Sequence, residues 1–266
     1  MANYLTALAS FDASTLALLG AIYAGSAVFS GLSGFGFSAI GALTLCLVPP
    51  QFGICMLMVL SLFTQAISLG TLRQEIRAHN TRWQNGFLPY AAGGILGLPF
   101  GLQILARAPT RGLVCGLGLL LVAYALYSSF RKPSLRPSRE GTTFAGALAV
   151  GAVGGVVGGF SAFPGSALVV WNGLKNVPKE QGRALTQPFI LVMQFAALSI
   201  LVVARPTLFD ARLLTLLAPA LPLAWAGNRL GVEIYKRTNQ VNYRLVTLAA
   251  LGISGLSLLL KASLFA

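Results

Sequence analysis

The chain has 266 residues, of which 56% are hydrophobic and 9% charged, and its 19 Lys and Arg against 6 Asp and Glu give a net charge of +13. A soluble domain carries about 25% charged residues, so a water-exposed globule is excluded. A nucleic-acid binder is excluded too, because the basic residues are scattered through short gaps between apolar runs, as in the cytoplasmic loops of membrane proteins.

The apolar runs approach the roughly 20 residues that a helix needs to cross a bilayer core. The expectation is an all-α polytopic membrane protein with no sizeable soluble domain. No cleavable signal peptide is expected, since the first basic residue is Arg73 and a positive n-region is missing. The first half reads as segments near 15–33, 35–48, 52–71, 86–105 and 112–130. The second half reads as segments near 143–159, 162–174, 187–204, 212–234 and 244–262. The second segment of each half is short and reads as a partial helix.

The halves look like copies, which divides the chain into repeats at 1–134 and 135–266. Gly-Phe-Ser-Ala occurs at Gly36–Ala39 and again at Gly159–Ala162, 123 residues later. Gln65 is echoed by Gln194, and Pro89, Gly97, Gly101 and Arg107 recur 130 residues on as Pro219, Gly227, Gly231 and Arg237. Five segments per half is odd, so the second copy is expected to enter the membrane inverted, giving eight to ten helices in two inverted-topology repeats. Loop charge supports an N-terminus outside. Thirteen Lys and Arg, among them Arg73, Arg77, Arg82, Arg131, Lys132, Arg136, Arg139, Lys175, Lys179 and Arg183, then fall inside, against five outside. Inverted repeats are a signature of secondary transporters.

The repeated phrases fall where one segment ends and a short one begins. A helix break inside lipid is tolerated only where protein or a water-filled cavity satisfies the freed backbone groups. Glycine supplies the turn, and Pro164 restricts how helix resumes in the second copy. A fresh helix start presents free N–H groups and a positive dipole end, a geometry that binds anions. Backbone N–H groups at Phe35–Ser38 and Phe160–Phe163 are the expected anion cradle. Ser33, Ser38 and Ser161 would add hydroxyl donors, and Phe35, Phe37, Phe160 and Phe163 would wall or gate it. Gly36, Gly159 and Ala162 complete the expected site, and Gln65 and Gln194 flank it. A second reading fits the same residues: small residues at three- and four-residue spacing, such as Gly151, Gly154, Gly155, Gly158 and Gly159, let helices pack closely.

Other features argue by what they lack or by their surroundings. Asp12, Glu75, Glu140, Glu180, Asp210 and Glu233 all fall in loops or at segment ends. A cation pump with a buried carboxylate relay is therefore not expected. No Walker loop and no His–Glu–His metal motif occurs, and no cofactor is expected. Cys46, Cys55 and Cys115 read as small buried residues. Arg229 precedes Glu233 by four residues, the spacing of a local ion pair. Trp171 and Asn172 end the short second-half helix, where an interfacial Trp is expected, and His79 reads as a solvated loop residue.

Four stretches together resemble the TauE/SafE family of bacterial permeases, the sulfite exporter or toluene-sulfonate uptake permeases. They are SGLSGFGFSAIGAL, VPPQFGICMLMVLSLFTQ, GGVVGGFSAFPGSALVVW and VPKEQGRALTQPFILV, in which Arg183-Ala184 matches the family's Arg-Ala before a helix. Many members carry a run of glycines at the breaks, whereas here Phe35 and Phe37 alternate with Gly34 and Gly36. The resemblance implies a bacterial inner-membrane secondary transporter that moves a small sulfur-containing anion, such as sulfite or an organosulfonate, often outward. It also implies seven or eight spans. Arg183 would attract anions from the cytoplasm or anchor its loop. Membrane lipid, the anion and a second copy of the chain are the expected partners. A passive anion channel and a non-transporting assembly partner are the rival readings.

Overall fold

The structure is a computed structural model and describes residues 12–48, 50–80, 86–107, 111–130, 142–209 and 211–264. Arg82, Arg131, Lys132, Arg136, Arg139, Glu140 and Asp210 lie outside these residues, as does the side chain of Cys46. The described residues form helices and connecting turns, with no strand. The helices are α1 (Ala13–Ser33), α2 (Phe37–Gly41), α3 (Pro50–Thr71), α4 (Arg73–His79), α5 (Leu88–Arg107) and α6 (Arg111–Phe130). They continue as α7 (Phe144–Ser161), α8 (Gly165–Leu174), α9 (Lys179–Ala204), α10 (Ala211–Arg237) and α11 (Gln240–Leu264). A 3-10 segment, Ala42–Cys46, extends α2.

Six of the described helices contain stretches long and apolar enough to cross a membrane: Ala13–Ser33, Phe52–Thr71, Leu88–Arg107, Phe144–Ser161, Lys179–Ala204 and Val241–Leu260. Gly118–Phe130 within α6 is a shorter apolar stretch. The chain is an all-α polytopic membrane protein. Large apolar side chains such as Leu96, Phe100, Phe195 and Leu214 point outward from the bundle, the arrangement of a protein whose solvent is hydrocarbon.

Local chemistry sets the helix boundaries. Thr143 caps α7, its Oγ1 accepting from the Gly146 N–H at 3.1 Å. Gly34 and Ala162 end α1 and α7 in left-handed conformations, at φ 85° and 58°. Helix α9 starts at Lys179, eight residues before the hydropathy boundary, because Lys179, Glu180 and Arg183 conceal its first turns from an apolar count. Inside α9, Pro188 has no N–H for the carbonyl of Ala184. Asn80 Nδ2 donates to that carbonyl at 2.9 Å instead.

The most extensive packing joins the halves crosswise: α5 packs on α7, α10 on α1, α6 on α11 and α3 on α9. Glycines make these contacts close. A Cβ on Gly101 would meet the Val156 carbonyl oxygen at 2.1 Å, and one on Gly231 would meet that of Val28 at 2.1 Å. The same contact is thus made in both halves. Gly155 faces Gly94, Gly151 faces Tyr90, and Gly118 faces Gly255. For Gly151, Gly155 and Gly159 the packing reading of the small-residue stripe is the observed one.

The segments 73–80, 176–184 and 235–244 converge at one end of the bundle. Tyr235 OH donates to Glu75 Oε1 at 2.6 Å, and Lys179 Nζ donates to the Thr238 carbonyl at 2.5 Å. At the opposite end, Ile54, Leu102, Ala106 and Arg205 surround a small hollow of about 40 Å³. The anticipated Arg229–Glu233 pair is replaced. Glu233 bonds Arg237 at 3.1 Å and Lys236 at 3.8 Å, and the Arg229 guanidinium lies 5.3 Å from the Trp225 ring centre. Lys236 and Arg237 stand in α10's last turn, where the helix dipole favours cations, and a Glu placed N-terminal to its basic partner is the better orientation of such a pair.

Candidate functional site

The two helix breaks are built alike. Ser33 Oγ donates to the Phe29 carbonyl at 2.6 Å, and Ser161 Oγ to that of Val157 at 2.7 Å. Gln65 Nε2 donates to the Gly34 carbonyl and Gln194 Nε2 to the Ala162 carbonyl, both at 3.0 Å. Ser33-Gly34-Phe35 therefore corresponds to Ser161-Ala162-Phe163, a shift of 128 residues. The repeated Gly-Phe-Ser-Ala, shifted by 123, is out of this register. In the first half the phrase opens α2; in the second it closes α7. The two Gln residues are true mates, whereas the two copies of the phrase are not.

The breaks meet at the centre of the bundle. Ser38 Oγ donates to the Ala162 carbonyl at 2.6 Å, and the rings of Phe35 and Phe163 stack with centres 6.1 Å apart. Phe160 packs in the same apolar cluster as this pair. Phe37 turns away and stacks on Tyr23 at 6.4 Å. Gly159 backs onto Gly101. The N–H groups of Phe35 and Gly36 point to Ser33 Oγ, at 3.4 and 3.0 Å. Of the expected donors, the N–H groups of Phe35, Gly36 and Ala162 are thus engaged within the protein. Phe160 and Ser161 sit inside α7, where the helix occupies their N–H groups, and α2, at five residues, is too short to carry much of a dipole.

The C-terminal end of α1 leaves carbonyls that the helix cannot satisfy, and each is met from elsewhere. The Gly34 N–H takes the Ser30 carbonyl at 2.8 Å. Arg183 Nη2 donates to the Gly31 carbonyl at 2.6 Å and Nη1 to that of Leu32 at 3.1 Å. Tyr243 OH donates to the Ser33 carbonyl at 2.9 Å. Arg183 is 1% exposed, and its guanidinium stacks 4.0 Å from the ring centre of Tyr235. It anchors α1 from α9; it does not stand at a surface where it would attract ions.

Beside this anchor lies a cavity of about 110 Å³ bounded by Ser33, Phe35, Asn172, Lys179, Thr186, Tyr243 and Arg244. Asn172 Nδ2 donates to Thr186 Oγ1 at 3.2 Å, fixing the wall formed by α8 and α9. Lys179 and Arg244 bring positive charge to the rim, and no Asp or Glu among the described residues lines the space. Ser33 and Phe35 are the anticipated site residues that reach it. Asn172, Lys179, Thr186, Tyr243 and Arg244 were not anticipated as site residues, because only the fold brings the remote helix α11 against α8 and α9. Trp171, expected at an interface, bonds Thr142 Oγ1 through Nε1 at 2.9 Å. His79 is exposed, with Nδ1 2.9 Å from the Glu75 carbonyl oxygen.

Residues 16–258, nearly the whole chain, match the family described as Sulfite exporter TauE/SafE. No curated protein and no solved structure matches.

Proposed function

The chain belongs to the TauE/SafE family, and from that premise we propose that it is a secondary transporter exporting a small sulfur-containing anion, such as sulfite or an organosulfonate, by alternating access. One observation carries this reading: among apolar side chains, the cavity beside the α1 break presents amide and hydroxyl groups and two cations, Arg244 and the Glu180-paired Lys179, with no carboxylate among the described lining residues. Such a lining favours a negative guest and rejects a metal ion. The chemistry is transport and not catalysis, as the family is one of transporters.

The crosswise packing and the matched breaks support two repeats, 1–134 and 135–266, inserted in opposite senses. The convergence of 73–80, 176–184 and 235–244 supports a cytoplasmic end carrying Arg73, Arg77, Lys175, Lys179 and Arg183, and an N-terminus outside the bacterial inner membrane. In this reading the cavity opens to the cytoplasm, and the stacked Phe35 and Phe163 close the path beyond it. The anion enters beside Lys179 and Arg244, and rearrangement of the aromatic pair passes it outward. An interior-negative potential favours anion exit by about 2.3 kcal/mol per charge per 100 mV, so export requires no ATP site.

The test is purified protein in liposomes, with sulfite, sulfoacetate, taurine and sulfate offered under an imposed potential. Saturable flux with counterflow is the expected result. Non-saturating current would indicate a channel, and absence of flux for every anion would indicate an assembly role.

A further inference from the structure

The backbone repeats, but the polarity around its two breaks does not. Position by position, Arg183 and Gln187 on α9 correspond to Ile54 and Met58 on α3, a shift of 129 residues. Asn228 on α10 corresponds to Leu98 on α5, a shift of 130. All six side chains are buried. The polar members of these pairs surround the end of α1, and the apolar ones face the end of α7. A Cβ placed on Gly34 would lie 3.4 Å from Gln187 Cγ and 3.5 Å from Arg183 Nε, so both side chains converge on the first break.

Several polar atoms there have no hydrogen-bond partner among the described residues: Arg183 Nε, both amide atoms of Gln187, Gln65 Oε1 and Asn228 Nδ2. Gln187 is 0% exposed. A buried polar atom left unpaired forfeits its hydration with nothing in return. Its mate Met58 shows that the fold accepts an apolar side chain at the same position. Arg183 forms no direct ion pair among the described residues; Glu75, reached through Tyr235, is its nearest counter-charge, and its Nε is left without a hydrogen-bond partner. Arg183 serves the fold through its two carbonyl bonds, but stability does not explain Gln187, whose amide makes no hydrogen bond among the described residues, and ligand binding does.

We propose that Gln187, together with Arg183 Nε and Asn228 Nδ2, forms an inner station for a small oxyanion, distinct from the cavity and reached from it past Phe35. Thr186 and Phe35, which line the cavity, are the chain neighbours of Gln187 and Gly34, so the cavity adjoins the residues of the station. The proposal rests on the transport reading and assigns its second position: the anion rests first beside Lys179 and Arg244, then beneath the α1 end. The donors are one-sided, so the station belongs to a single helix break and is not duplicated by the pseudo-symmetry.

The test is Gln187→Met, which installs the residue that the other half already uses. Sulfite is the probe, in two measurements on the full chain. In proteoliposomes the variant is expected to lose at least tenfold in sulfite kcat/KM. In detergent without sulfite its Tm is expected to equal or exceed that of the unaltered chain, since an unpaired amide is removed; the stabilisation by added sulfite is expected to shrink. Asn228→Leu, which copies its mate Leu98, is expected to act in the same direction. Unaltered sulfite kinetics in both variants, with flux by the original chain intact, would overturn the inner station and leave the transport reading standing. A fall in Tm of several degrees without sulfite would also overturn it, by showing that the amide serves the fold. Absence of both flux and ligand-induced stabilisation in the original chain with sulfite, sulfoacetate, taurine and sulfate alike would overturn both readings.

Discussion

Gly34 and Ala162 hold one backbone conformation with two different residues, at φ 85° and 58°. The left-handed region costs a residue with a Cβ about 1–2 kcal/mol. Gly34→Ala also drives a methyl to 3.2 Å from Arg183 Cγ, so it is expected to lower stability by about 2 kcal/mol. Ala162→Gly is expected to be neutral or to stabilise by up to about 1 kcal/mol. Thermal unfolding in detergent, followed by intrinsic fluorescence, measures both. Arg183 presents a planar fork to two successive carbonyls, a geometry that an ammonium group cannot copy. Arg183→Lys is expected to destabilise by about 2 kcal/mol, and the same unfolding assay reads it. Equal stability of this variant would mean that the carbonyls of Gly31 and Leu32 find another donor.

Between elements, the decisive contacts are those where one helix meets the backbone of another. A Cβ on Gly155 would stand 2.1 Å from the Gly94 carbonyl oxygen, and backbone cannot rotate away as a side chain does. Gly155→Ala is expected to cost about 3 kcal/mol by forcing α5 and α7 apart. Gly116 and Gly70 have nothing within 4 Å of such an atom. Alanine at either is expected to stabilise by about 0.5–1 kcal/mol through helix propensity. Size-exclusion profiles and Tm distinguish the two classes. The helices themselves were legible in the chain because apolar runs of sufficient length have few alternatives in lipid. The start of α9 was not legible, since the charges that begin it serve buried partners: Arg183 anchors α1, and Lys179 reaches the Thr238 carbonyl. Hydropathy registers only that they are polar.

At the scale of the molecule, the arrangement depends on which end faces the cytoplasm. A cysteine at Asn176, on the cavity side, is expected to react with a membrane-impermeant maleimide only when the reagent reaches the cytoplasmic face. A cysteine at Arg205 is expected to react only from outside. Labelling of right-side-out and inverted vesicles, in a background lacking Cys46, Cys55 and Cys115, checks this. The reverse pattern would invert the topology and turn the cavity outward.

The candidate site was partly legible. Gln65 and Gln194 stand out as mates, and the structure gives each the corresponding carbonyl to bind, that of Gly34 and that of Ala162. Ser33, Ser38 and Ser161 stand out as donors, and they are donors, but to backbone carbonyls of the protein itself. The residues of the cavity wall do not stand out, since Asn172, Thr186 and Tyr243 become neighbours only when α8, α9 and α11 assemble.

Composition and segment length alone determined that this chain is a helical membrane protein, because lipid leaves a backbone of this hydrophobicity almost no other way to satisfy its N–H and C=O groups. The tertiary structure decided which residues of the two helix breaks match, the partner of each freed carbonyl and which break the polar groups surround. Those features depend on distances of a few ångströms between residues more than a hundred positions apart, and no periodicity along the chain encodes them.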